Sequence, residues 1–131
     1  MTEDASPLDK FGRFLMENLR DRCLEHFELL AEGKWRAPSL QTLQAEVASL
    51  DERQREVARK CIIAGVDSAI HDFLFKLQER SDFENDIHMV VDGENIVPLS
   101  DGIHGEPYGD DGWQARFSKY GVRRDEGLSC E

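Results

Sequence analysis

The segment SLDERQREVARKCIIAGVDSAIHDFLFKLQE, residues 49–79, decides the fold. Its apolar side chains recur at steps of three and four residues, which is the spacing of one face of an α-helix. In the second half, Ala64 and Phe75 add apolar surface on the side opposite Ile70 and Leu74. We therefore predict a long central helix whose second half is covered on two sides.

The ends and interior of this helix carry further signals. Ser49 and Glu52 have the spacing of a capping box, so we expect the helix to begin there and to run to about Glu79. Gly65 weakens a helix by ~1 kcal/mol relative to alanine and marks either close helix packing or a bend. The Phe75 side meets either the rest of a small bundle, or a partner or second copy of the chain.

Two helices are predicted before this segment. Ser6 is a suitable N-cap for a first helix over residues 7–32, and Gly33 is a suitable left-handed terminator. After a connector, Ser39 can cap a short second helix over residues 40–48.

The chain changes character after Ser81. Two β-branched runs, residues 87–91 and 96–99, flank Asp92-Gly-Glu-Asn95 and predict a β-hairpin with a turn of about four residues. A glycine-rich loop follows over residues 100–112. Trp113, Phe117 and Tyr120 then predict a short C-terminal helix, with Asp110 or Asp111 as its cap.

These elements indicate an α+β, mainly α fold. It is a small bundle of three helices, the third long and central, with the β-hairpin and the short helix packed on it. We expect one globular domain over residues 1–121 and a flexible polar tail over residues 122–131.

Composition limits the compartment and the chemistry. No apolar run approaches the ~18 residues that span a bilayer, and the acidic N-terminus lacks the pattern of a secretory signal. We expect a cytoplasmic protein that binds no membrane. Cys23, Cys61 and Cys130 are an odd number at long spacings, so we expect free thiols. No cofactor motif is present, and an EF-hand and a P-loop are excluded.

The formal charge of −11 is unevenly distributed. Residues 1–80 contain fifteen acidic and twelve basic side chains, whereas residues 81–131 contain twelve and four. No lysine or arginine lies between Ser81 and Ala115. We call residues 81–112 the acidic segment. Such a surface disfavours nucleic acid and suits a basic protein partner, although turn geometry and solubility, or a cation site, would also collect these acids.

The leading hypothesis is a small, non-enzymatic, protein-binding protein. It resembles immunity-type neutralisers of basic, nuclease-like toxins in physical character only, and no family motif is recognised. The expected partner-binding residues are nine acids and one aromatic residue of the acidic segment: Asp82, Glu84, Asp86, Asp92, Glu94, Asp101, Glu106, Tyr108, Asp110 and Asp111.

Two other hypotheses remain open. Asp67 and His71 lie one helical turn apart, and His88 and His104 could meet them, which would make a metal-binding protein or a metal-dependent hydrolase. Alternatively, the chain is a non-catalytic structural subunit that dimerises through the Phe75 side of the long helix, so both a monomer and a homodimer are open.

Overall fold

The mainly α architecture with a hairpin and a short C-terminal helix is confirmed in the computed structural model, which describes residues 6–122. The helices are α1 (Pro7–Leu15), α2 (Asp21–Ala31), α3 (Gln41–Ala48), α4 (Glu52–Glu79) and α5 (Trp113–Phe117), and the hairpin strands are β1 (Val90–Val91) and β2 (Glu94–Asn95). No helix within the described range is long and apolar enough to cross a membrane. Apart from Val122, the predicted tail lies outside the described residues.

The first predicted helix forms, but it contains a π-helical segment. Ser6 caps it as expected, because its hydroxyl accepts a hydrogen bond of 3.3 Å from the amide of Asp9. Between α1 and α2, residues Met16–Arg20 follow π-helical geometry. Met16 and Arg20 are both buried. The inserted turn therefore directs one apolar and one charged side chain into the interior.

The start of α4 corrects the predicted capping box. Asp51, not Ser49, is the N-cap: its carboxylate accepts from the amide of Gln54 at 2.8 Å, and the Gln54 side chain accepts from the Asp51 amide at 2.9 Å. The Ser49 hydroxyl instead donates to the carbonyl of Glu46 at the end of α3. Close packing at Gly65 is also wrong, since an added Cβ there would contact nothing within 4 Å.

The second predicted helix begins later than expected. Residues Pro38–Leu40 form a 3₁₀ turn, so the predicted cap Ser39 lies inside that turn and α3 starts at Gln41. Proline suits the first position of such a turn because its missing amide proton has no partner there.

The hairpin is shorter than predicted. Asp92 and Gly93 have positive φ values of 54° and 82°, which makes a two-residue turn of the type that matches strand twist. The predicted second strand, residues 96–99, is wrong: β2 ends at Asn95, and Val97–Leu99 form a 3₁₀ turn. Burial explains the difference, because Ile96 and Val97 are fully enclosed in the core instead of lying on a sheet edge.

Trp113 lies at the centre of the core, as its predicted anchoring role requires. It is fully buried, and its ring meets Phe11 edge to face at 5.9 Å. Gly12 makes this possible, because a Cβ there would overlap the indole. The helix that Trp113 begins ends at Phe117, earlier than the predicted Tyr120, and Gly112 occupies the N-cap position that was predicted for Asp110 or Asp111.

A buried polar network joins the C-terminal residues to the helices. Arg20 and Asp67, with side chains 1% and 7% exposed, form a bidentate ion pair of 2.7 and 3.3 Å. Arg20 also donates to the Ser118 hydroxyl at 2.9 Å and to the carbonyl of Gly121 at 2.6 Å. The predicted thiols are free at Cys23 and Cys61, whereas Cys130 lies outside the described residues.

Candidate functional site

Part of the acidic segment closes around a concave surface, which we call the acidic cavity. Its volume is about 280 Å³, and its lining is Asp101, Gly102, Gly105, Glu106, Tyr108, Asp111 and Gly112. Four of the ten predicted partner-binding residues therefore meet there. No basic side chain is among these lining residues of the described chain.

The loop that forms the acidic cavity is fixed by the core beneath it. Ile103 is fully buried, and its amide donates to the Gln78 side chain of α4 at 2.7 Å. The amide of Trp113 donates to the carbonyl of Glu106 at 2.9 Å, which ties the other end of the loop to the start of α5. Gly112 is required at its position, because a Cβ there would overlap the carbonyl of Tyr108. The cavity is thus shaped by the backbone before any partner binds.

The charges around the acidic cavity are unequal. Glu106 is half-buried and accepts a hydrogen bond from the Ser100 hydroxyl, whereas Asp101 and Asp111 are exposed. The neighbouring Arg116 is occupied by Asp9, whose carboxylate it binds at 2.9 and 3.0 Å. Hydrogen bonding to Asp9 raises the pKa of Arg116. Because Arg116 is paired with a carboxylate outside the cavity, the cavity keeps an excess of negative charge.

The other predicted acids do not join this cavity. Asp82 accepts from Gln78 at 2.9 Å, Asp92 pairs with Lys10 at 2.7 Å, and Asp86 pairs with Arg80. The hydrogen bonds from Arg80 lower the pKa of Asp86. Three further acids are exposed and line no part of the cavity: Glu84, Glu94 and Asp110.

A second, less charged cavity lies on the other side of Tyr108. It has a volume of about 390 Å³ and is lined by Ala64, Asp67, Ser68, His71, Tyr108, Gln114 and Val122. The Tyr108 hydroxyl donates to the carbonyl of Asp67 at 3.0 Å, which fixes the ring between the two cavities. Gln114 is only 2% exposed, and its side-chain amide has no hydrogen-bond partner within residues 6–122.

Sequence reasoning did not find Gln114 or Ser68. Glutamine at a position beside Trp113 has the appearance of an ordinary surface residue, and only the packing of α5 buries it. Ser68 carried a usable signal, since it lies three residues before His71 and therefore on the same face of α4.

The four predicted metal ligands do not form a metal site. Both oxygens of Asp67 are bound by Arg20, and the His88 imidazole lies 2.9 Å from the Ser81 hydroxyl. His71 and His104 do come together, with ring centroids 5.5 Å apart. Nevertheless, no group of three or more histidine, cysteine or acidic side chains in the described chain could hold a metal ion.

The Phe75 side of α4 is occupied by the loop of the same chain. The rings of Phe75 and His104 meet edge to face at 5.0 Å, and Phe75 also stacks on His71 at 6.4 Å. The helix is thus covered on two sides, as predicted, with the core on one side and the loop on the other. The alternative that this side receives a partner or a second copy loses most of its surface.

Comparisons of the chain with protein-family models, with curated proteins and with solved structures found no match.

Proposed function

We propose that this chain is a non-catalytic binding protein that takes a lysine or arginine side chain of a basic protein partner into the acidic cavity. The observation that carries the proposal is the convergence of Asp101, Glu106 and Asp111 with Tyr108 on one concave surface of about 280 Å³. Carboxylates form charge-assisted hydrogen bonds to a guanidinium, and a tyrosine ring attracts a cation through its π face.

The remaining exposed acids have a different role in this proposal. Glu84, Glu94 and Asp110 lie outside the cavity, where solvent screens each of them. Surface charges of this kind chiefly accelerate the encounter with a positively charged partner and contribute little to the final affinity. We therefore assign specificity to the acidic cavity and steering to the rest of the acidic segment.

The partner class that we favour is a basic toxin of the nuclease type, which this protein would neutralise. A nuclease binds a polyanion, so its active surface carries clustered lysine and arginine side chains. An acidic binding protein that covers this surface blocks it through charge complementarity. What supports this assignment is the formal charge of residues 81–131, with twelve acidic and four basic side chains.

The proposal is tested by affinity capture with charge-matched variants. The full chain is immobilised and exposed to lysate of its source cells, and bound proteins are identified at low and high salt. The variant Asp101→Asn/Asp111→Asn removes two charges from the cavity, and Glu84→Gln/Glu94→Gln removes two charges outside it. We expect a basic protein that is released by salt, and that the cavity variant binds at least about tenfold more weakly, ~1.4 kcal/mol.

The control separates specific from general electrostatics. Both double variants have the same net charge, so a purely long-range attraction weakens equally in the two. Equal loss in both, or retention of no basic protein by the unmodified chain at low salt, would contradict the proposal.

A further inference from the structure

The opposite side of α4 carries an apolar groove that the proposed function does not use. Its volume is about 280 Å³, and only apolar side chains line it: Leu15, Leu19, Val66, Ala69, Ile70, Phe73 and Leu74. Phe73 is 58% exposed at its edge. Phe14, next to Leu15 in α1, is 63% exposed. Single exposed apolar residues are ordinary, but two phenylalanines beside an open apolar groove mark an interaction surface.

The π-helical segment helps to form this groove. Leu19 lies inside it and Leu15 lies immediately before it, and both line the groove while Met16 and Arg20 are buried. Single π-helical turns are rare and occur often at functional positions. The irregular geometry therefore places two leucines on an exposed face next to the buried ion pair.

Charge favours a second copy of this chain as the occupant. The groove belongs to α1, the π-helical segment and α4, which lie within residues 1–80, where fifteen acids are nearly balanced by twelve bases. Phe73 and Phe75 are about 160° apart around the helix axis, so the groove faces away from the loop that contacts Phe75. Two copies can meet here without bringing their acidic cavities together.

Area also fits a pair of copies. A phenylalanine presents about 200 Å². With Phe14 at 63% and Phe73 at 58% exposure, the two rings leave roughly 240 Å² open per copy, or about 480 Å² in a symmetric pair. A small stable interface buries about 1,200 Å² in total, of which roughly 700 Å² is apolar. The phenylalanines supply most of that apolar area, and Leu19 with the groove lining supplies the rest.

We propose that this protein forms a two-fold symmetric homodimer through the groove between α1 and α4. The interface is isologous: Phe73 of each copy packs against the groove of the other. This inference is independent of the proposed function, because its residues line neither the acidic cavity nor the cavity beside it.

Sedimentation velocity of the full chain tests the dimer directly. We expect the mass to rise from 15.0 kDa towards twice that value as concentration increases from about 1 μM to about 1 mM. Phe73→Ser and, on the other helix, Phe14→Ser should each raise the dissociation constant at least about tenfold. Both side chains are mostly exposed, so circular dichroism should show that the variants remain folded.

Phe83→Ser is the matched control. Phe83 is 81% exposed but lies outside the groove, and its substitution should leave the dissociation constant within about twofold. A monomeric mass at every concentration would overturn the proposal. So would equal weakening by Phe83→Ser, or a mass that continues to rise beyond two copies.

Discussion

Removing one partner of the buried Arg20–Asp67 ion pair should be strongly destabilising. The two side chains are 1% and 7% exposed, so Asp67→Asn leaves the guanidinium charge buried without a carboxylate. Breaking such a pair costs about 3–5 kcal/mol. This is a large share of the roughly 5–15 kcal/mol by which small domains are stable.

Urea denaturation followed by circular dichroism measures this loss. With a slope of about 2 kcal/mol per molar urea, the midpoint of Asp67→Asn should fall by roughly 1.5–2.5 M. Lys76→Met is the matched control, since Lys76 forms an exposed pair with Glu79 and its side chain is 73% exposed. Surface pairs contribute ~0–1 kcal/mol, so the control midpoint should hardly change.

The double variant Arg20→Met/Asp67→Leu separates lost pairing from buried charge. It leaves no uncompensated ion, so it should be more stable than Asp67→Asn. Recovery should be partial, because the carbonyl of Gly121 and the hydroxyl of Ser118 lose the donor that Arg20 provides. A loss below about 1 kcal/mol in Asp67→Asn would refute this reasoning, as would a Lys76→Met loss of the same size.

Three other substitutions test the core, the pH response and the hairpin. Gly12→Ala places a Cβ onto the Trp113 ring and should cost about 1–3 kcal/mol or more in urea denaturation; an unchanged midpoint would contradict the packing. Hydrogen bonds from Arg116 lower the pKa of Asp9, so its contribution is present above the unfolded-state pKa and is lost as pH falls through the lower folded-state value. Asp9→Asn should therefore be less stable than the unmodified chain at pH 7, and this deficit should shrink below about pH 4; a deficit independent of pH would contradict the shift. Gly93→Ala, at φ 82°, should cost about 1 kcal/mol, and a stabilising effect would contradict the turn assignment.

The periodic parts of the fold could be predicted from the sequence. The stripe of α4 and the Ser6 cap depend on neighbours within one turn, so the local pattern contains them. The cap of α4 could not be chosen correctly, because Ser49 and Asp51 both fit a capping box, and Ser49 is already bound at the end of α3. Likewise, Ile96 and Val97 are β-branched, and only their burial against distant core residues removes them from the strand.

The candidate site was predictable in composition but not in shape. The absence of lysine and arginine between Ser81 and Ala115 identifies the acidic segment directly. Which acids converge depends on long-range contacts: Lys10 pairs with Asp92 across 82 positions, and Arg116 binds Asp9 across 107. Such pairings follow from the packing of α1 against the hairpin and α5, which a local pattern does not contain.

The most direct test of the acidic cavity is an NMR titration of the full chain with butylguanidinium, an analogue of the arginine side chain. We expect saturable amide shifts concentrated in residues 101–112, with affinity weakened by Asp111→Asn and unchanged by Glu94→Gln, which alters net charge equally. Shifts spread evenly over all exposed acids, or equal weakening in both variants, would contradict a specific cationic side-chain site.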